Sequence, residues 1–246
     1  MLCRLSAARR GADHHRHRRG TDRQSLAAAT AAHPAMIVTS EGGDFLEGSA
    51  DRVDEAYKRW HLRQLQLTHY RVNELGDIQT EPRLHGGLAD AGAAVIRRCN
   101  RRGIVVDIAH GPYELVKRVA AVTEKPLVLP HTSLNPKPGR YSRTISPDHA
   151  RIVAETGGVI GIWPPTTIFP DMAALAEGMA RMVEVAGVAH VGLGSDMMGL
   201  LSPAAFSSYA QLPDLAAALL AQGFSAEETA KLLGGNAARV FAATLA

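Results

Sequence analysis

The sequence predicts a parallel α/β barrel, TIM-barrel-like and of the (β/α)8 kind, but incomplete. Three observations predict it. From residue 36 onward, short apolar runs alternate with amphipathic helical patterns, as parallel strands with helical crossovers require. The runs are continuously apolar, which suits a sheet buried on both faces. They number about six, where a complete barrel has eight. An open doubly wound sheet is the other arrangement that these units allow.

The elements follow in order. Residues 36–39 form an apolar run closed by the Gly42-Gly43 turn, and residues 51–60 place Val53, Ala56, Tyr57 and Trp60 at helical spacing. Residues 65–68 read as a strand, followed by a long polar loop over about 70–87. A helix over 88–102 turns Val95, Ile96 and Cys99 inward and stops at Gly103. Residues 104–109 are a strand, and Pro112 suits the first turn of the next helix. After the strand 127–129, Ser146-Pro147 opens a helix with a hydroxyl cap and a proline whose missing N–H costs nothing there. Residues 159–163 are a strand, and Met172, Leu175, Met179, Met182 and Val183 form a helical stripe ending at Gly187. Residues 190–194 are the last strand. Two helices close the chain, over 213–221 and after the capping box Ser225-Ala-Glu-Glu228.

Residues 1–35 differ from the rest. They are rich in Arg, His and Ala, show no period, and read as a disordered tail ahead of a single barrel domain over 36–246. The net charge of +3 is concentrated there, in Arg4, Arg9, Arg10, Arg16, Arg18, Arg19 and Arg23. It describes a tail rather than a nucleic-acid-binding surface. Asp13-His14-His15-Arg16-His17 reads either as part of that tail or as a metal or nucleic-acid segment. With 46% hydrophobic and 21% charged residues the chain is an ordinary globular one. No apolar run reaches the length of a membrane span. No apolar core directly follows the basic start, so no secretory signal is read and a cytoplasmic protein is expected. Cys3 and Cys99 are the only cysteines, which argues against a disulfide framework. Neither G-x-G-x-x-G nor a Walker motif follows a strand, so nothing points to a nucleotide.

One pattern carries chemistry. Glu41, His69, His110, His131 and Asp196 each stand just past the end of a predicted strand. In a parallel barrel those ends open on one face, so distant residues converge on one pocket. Three histidines and two acids there suit a hydrolytic metal site. Taken singly, each residue has a plain structural reading: a bonded histidine, or a carboxylate that caps a turn. Asp107 reads as a partner behind a ligand or as a strand-interior acid. His61, His85, His149 and His190 read as surface or structural, Trp163-Pro-Pro165 as pocket wall or core, and Gln79-Thr-Glu81 as substrate contact or solvated loop.

From residue 36 to the C-terminus the sequence resembles the membrane dipeptidases. The pieces are Glu41-Gly-Gly, Leu65-Gln-Leu-Thr-His69, Val106-Asp-Ile-Ala-His110, Pro130-His-Thr-Ser133, Arg143 before Ile145-Ser-Pro-Asp148, Gly192-Leu-Gly-Ser-Asp196 and Gly234-Gly-Asn-Ala-Ala-Arg239. The resemblance implies a zinc-dependent dipeptidase with a small dipeptide as substrate, no nucleic-acid partner, and a homodimer as a compatible assembly. It makes Glu41 a bridging carboxylate and His110 and His131 ligands of the second zinc. It makes His69 a substrate-binding group that steadies the intermediate, Arg143 the clamp on the substrate carboxylate, and Asp196 the acid/base. The family's first strand carries His-x-Asp, which is not found here on a strand. The expectation is therefore a barrel lacking its first βα unit or units, with one zinc in place of two. Met197-Met198 also departs from the family pattern. The alternatives are a non-catalytic remnant of a dipeptidase and an amidohydrolase acting on N-acyl amino acids.

Overall fold

After residue 60, every strand pairs in parallel with the one before it in sequence. In the computed structural model, which describes residues 18–30 and 33–245, six strands form one sheet: β3 (Val38–Ser40), β4 (Leu62–Gln66), β5 (Val105–Asp107), β6 (Val128–Thr132), β7 (Val159–Ile162) and β8 (Val191–Leu193). Their spatial order is their chain order. A doubly wound sheet reverses direction at a switch point, so that alternative is excluded, and the arrangement is barrel-like. Two shorter strands, β1 (Arg18–Arg19) and β2 (Ala35–Met36), pair separately.

The crossovers are α2 (Arg52–Arg59), α3 (Asp90–Arg102), α4 (Tyr113–Val122), α5 (Pro147–Glu155) and α6 (Met172–Ala186). Their ends follow local chemistry. Gly103 takes the left-handed conformation that stops α3, at φ 72°. The Ser146 hydroxyl accepts from His149 N–H at the start of α5. After α7 (Leu212–Ala221), Ser225 and Glu228 close the capping box of α8 (Ala226–Ala230). Val106, Leu129 and Ile160 pack with Val116, Val119 and Val153 of the helices in the main core. Val105, Val128 and Val159, which open β5, β6 and β7, gather instead around Val240 of α9 (Asn236–Thr244). That helix therefore covers the N-terminal ends of the strands and leaves the C-terminal ends for the site.

Three findings depart from the sequence reading. The apolar run 36–39 divides between β2 and β3, which lie in separate sheets. The fourth strand begins at Leu62, not at 65, because Arg63 looks polar in sequence yet is buried. Its guanidinium donates to the carbonyls of Thr21, Tyr57 and Leu62. Within the stretch read as a structureless tail, Asp22 and Ser25 form a capping box that starts α1 (Arg23–Ala27). Arg23 then donates to the Leu245 carbonyl, which ties this segment to the end of α9. The Asp13–His17 motif lies outside the described residues. Among the described residues no helix is long and apolar enough to cross a membrane.

Candidate metal centre

The C-terminal ends of the strands deliver the predicted side chains to one place. Glu41 follows β3, His69 lies just beyond β4, His110 just beyond β5, and His131 is the second-to-last residue of β6. A single oxygen, Glu41 Oε1, is 3.1 Å from His131 Nε2, 3.3 Å from His69 Nε2 and 3.5 Å from His110 Nε2. The His110 ring stands edge-on to both neighbours, 4.7 Å from His69 and 5.1 Å from His131. Glu41, His110 and His131 offer ligand atoms all within 4.8 Å of one another. Arg143, from the loop after β6, reaches back to His131 Nδ1 at 3.1 Å and to Gln79 Oε1 at 3.3 Å. Asp196 follows β8, at the same end of the sheet as the other strand-end residues. All six predicted residues thus meet at one rim.

Backbone features hold them there. His110 (φ 66°) and Asp196 (φ 46°) both take the left-handed conformation. That is uncommon outside glycine, and such outliers cluster at functional sites. The buried Asp107 carboxylate accepts from Ala109 N–H at 2.8 Å and from the Gln64 side-chain amide at 2.6 Å. It therefore shapes the turn that aims His110 rather than bonding to a histidine ring. Gly161 and Gly194 lie so near Pro130 that a Cβ would stand 2.2 Å and 1.6 Å from its carbonyl oxygen. Only glycine lets β7 and β8 close in beside the segment that carries His131. Over the long loop, Asp77 accepts from the N–H groups of Leu84, His85 and Gly87, and Gln79 N–H donates to the His110 carbonyl at 2.6 Å. Sequence reading passed over Asp77; its only signal there was an acid ahead of the Gly86-Gly87 turn.

The electrostatics suit a cation. The His110 and His131 rings beside Glu41 hold its carboxyl far below the usual carboxylate range. Burial pushes His110 down to about 4, so it is a neutral lone-pair donor at neutral pH. Burial also lowers His131, but Glu41 and Asp107 outweigh it and its net shift is upward. Burial raises Asp196, assisted by Glu41 and opposed by His131, and burial lowers Arg143. His110 Nε2 is buried without a hydrogen-bond partner, an omission that usually has a functional reason. One carboxylate and two imidazoles, one of them unpartnered, fit a divalent cation of the zinc type. His149 is buried, not superficial. His190 Nδ1 bonds to the Gly158 carbonyl, a structural role. Trp163 faces the Arg143 guanidinium, 5.6 Å from ring centre to Cζ, and so belongs to the wall of the site.

Known proteins share this plan. The sequence model of the membrane dipeptidase family (peptidase family M19) matches residues 4–246. The dipeptidase aclJ of Aspergillus oryzae is 33% identical over 219 residues, covering 84% of this chain and 50% of its own. The probable dipeptidase PvdM of Pseudomonas aeruginosa superposes with a TM-score of 0.85 at 17% identity, over 94% of this chain and 74% of its own. A Rhodobacter sphaeroides metallo peptidase, liganded with a phosphinate mimic of the dipeptide L-Ala-D-Ala, gives 0.76 at 23% identity, over 86% and 64%. At such identities the two structures speak to the fold. The chain spans about half the length of the curated relatives it matches.

Proposed function

The chain belongs to the membrane dipeptidase family, and on that premise we propose that it hydrolyses the peptide bond of dipeptides at a zinc site held by Glu41, His110 and His131. The observation that carries this reading is the convergence of those three side chains within 4.8 Å, on a buried His110 nitrogen that has no other partner. The described residues offer this three-residue set, and it is the set we assign to one ion. When bound, the ion supplies a nucleophilic water at neutral pH and polarises the scissile carbonyl.

The chain's own residues do the rest. Arg143 presents a guanidinium fork, half-buried and held by Gln79, that matches a substrate carboxylate in a bidentate manner. His69 lies 3.3 Å from Glu41, where it can donate to an oxygen that gains negative charge. Asp196 has its carboxyl raised by burial, so it accepts and returns a proton more readily than an ordinary carboxylate. It takes the proton of the attacking water and delivers it to the leaving amine.

The test is zinc content and Ala-Ala hydrolysis in the wild type and in Glu41→Ala. We expect about one zinc per wild-type chain, and loss of both zinc and activity in the variant. Equal zinc in the two proteins sinks the ligand assignment. Zinc-loaded protein that cleaves N-acetyl-alanine but not Ala-Ala replaces the dipeptidase reading with an amidohydrolase.

A further inference from the structure

Gln79 separates two spaces. On one side its Oε1 accepts from Arg143; on the other it lines a cavity of about 150 Å3, open to solvent, beside the candidate metal centre. Arg83, Arg140, Ser142, Thr144, Ser146 and His149 line that cavity, and no carboxylate does. Ser142 and Thr144 flank Arg143 in the chain, so the cavity backs directly onto the clamp.

Independent features make it a place for an anion. Two helices start at its wall, α4 after Pro112 and α5 after Ser146, and helix N-termini favour negative charge. Among the described residues neither Arg83 nor Arg140 belongs to an ion pair. Arg83 is steadied by donating to the carbonyls of Ile78 and Glu81, and Arg140 by lying 5.4 Å from the Tyr141 ring centre. His149, only 5% exposed, stands edge-on to Tyr113 and lines the cavity with its Nε2 unpartnered. A buried polar atom without a partner, on a side chain that lines a cationic cavity, is a further feature that points to a ligand there.

We propose that this cavity is a second oxyanion subsite, which takes the side-chain carboxylate of the substrate's C-terminal residue and makes dipeptides ending in Asp or Glu the preferred substrates. The proposal rests on the reading above, in which Arg143 holds the main-chain carboxylate. A free oxyanion such as phosphate shares the chemistry and is the competing source.

The experiment compares Ala-Glu with its neutral isostere Ala-Gln on zinc-loaded protein, in the wild type, in Arg140→Ala, and in Lys137→Ala, a nearby exposed cation outside the cavity. We expect the wild type to favour Ala-Glu in kcat/KM by about tenfold, the scale of one charge-assisted contact. Arg140→Ala should bring the ratio close to one and Lys137→Ala should leave it. Equal rates on the two dipeptides overturn the subsite while leaving the dipeptidase reading intact. If neither dipeptide nor Ala-Ala is cleaved, that reading fails instead, and the affinities of free Glu and Gln still read the cavity: tighter Glu, weakened by Arg140→Ala, supports it, and equal affinities overturn it. Inorganic phosphate that slows Ala-Glu but not Ala-Gln supports a shared oxyanion seat. Phosphate that changes both alike, without a preference for Ala-Glu, assigns the cavity to an effector and overturns the substrate role.

Discussion

Arg143 Nη2 faces His131 Nδ1 at 3.1 Å, on the side of the ring opposite Glu41. A guanidinium has donors only, so Nδ1 accepts, and the proton of the neutral ring sits on Nε2, pointed at Glu41. A metal ion needs the Nε2 lone pair, so the metal-binding ring carries its one proton on Nδ1, and Arg143 must turn away from that atom. His131 has its pKa raised by Glu41 and Asp107 against the pull of burial. The ring is therefore protonated below that raised value, and protons compete with metal there. Zinc affinity should fall as pH drops from 8 to 5, with proton release on binding that calorimetry in two buffers of different ionisation enthalpy can count. Affinity that does not vary over this range contradicts the assignment of His131.

Arg143→Lys keeps the charge but loses the fork. KM for Ala-Ala should rise by about tenfold or more, with a smaller change in kcat, because the lost contact binds the carboxylate in ground and transition states alike. Steady-state kinetics that leave KM unchanged remove Arg143 from the clamp role.

Gly194 has no room for a methyl group, since a Cβ would lie 1.6 Å from the Pro130 carbonyl oxygen. Gly194→Ala must push β8 away from the segment that carries His131. A loss of about 2 kcal/mol or more in urea unfolding is expected, together with lost activity. A variant as stable as the wild type would show that these strands are not in such close approach.

Burial pushes the pKa of His149 down to about 4 from an ordinary 6.5. The unfolded chain takes up this proton first as pH falls, so the native state loses stability from about pH 6.5 down to about 4, and nothing more below that. The loss is on the order of 3 kcal/mol. His149→Phe should flatten that part of the stability–pH curve. Chemical denaturation at pH 7.5, 5.5 and 4.5 measures it, and equal slopes for the two proteins would mean that the His149 ring is not held neutral.

The barrel plan was legible because it depends on local pattern. Apolar runs of strand length, helical stripes, the Ser146-Pro147 and Ser225–Glu228 starts and the Gly103 stop are all set by neighbours in sequence, and their positions hold in the structure. Arg63 hid the start of β4 because a sequence pattern scores its charge, whereas its burial depends on the carbonyls of Thr21, Tyr57 and Leu62. Residues 22–25 hid a helix start because a five-residue helix has no period to detect; what holds it is a distant contact to Leu245.

From residue 38 onward, then, the sequence by itself determined the order of the barrel strands and their crossover helices and the kinds of side chain placed at each strand end, since both follow from short-range spacing. Only the tertiary structure decided that Glu41 Oε1 lies within 3.5 Å of three imidazoles, that His110 and Asp196 turn through left-handed backbone, and that a cationic cavity adjoins Arg143. Those are distances between residues far apart in the chain. They are fixed by how strands β3 to β8 pack side by side, and no window of sequence contains them.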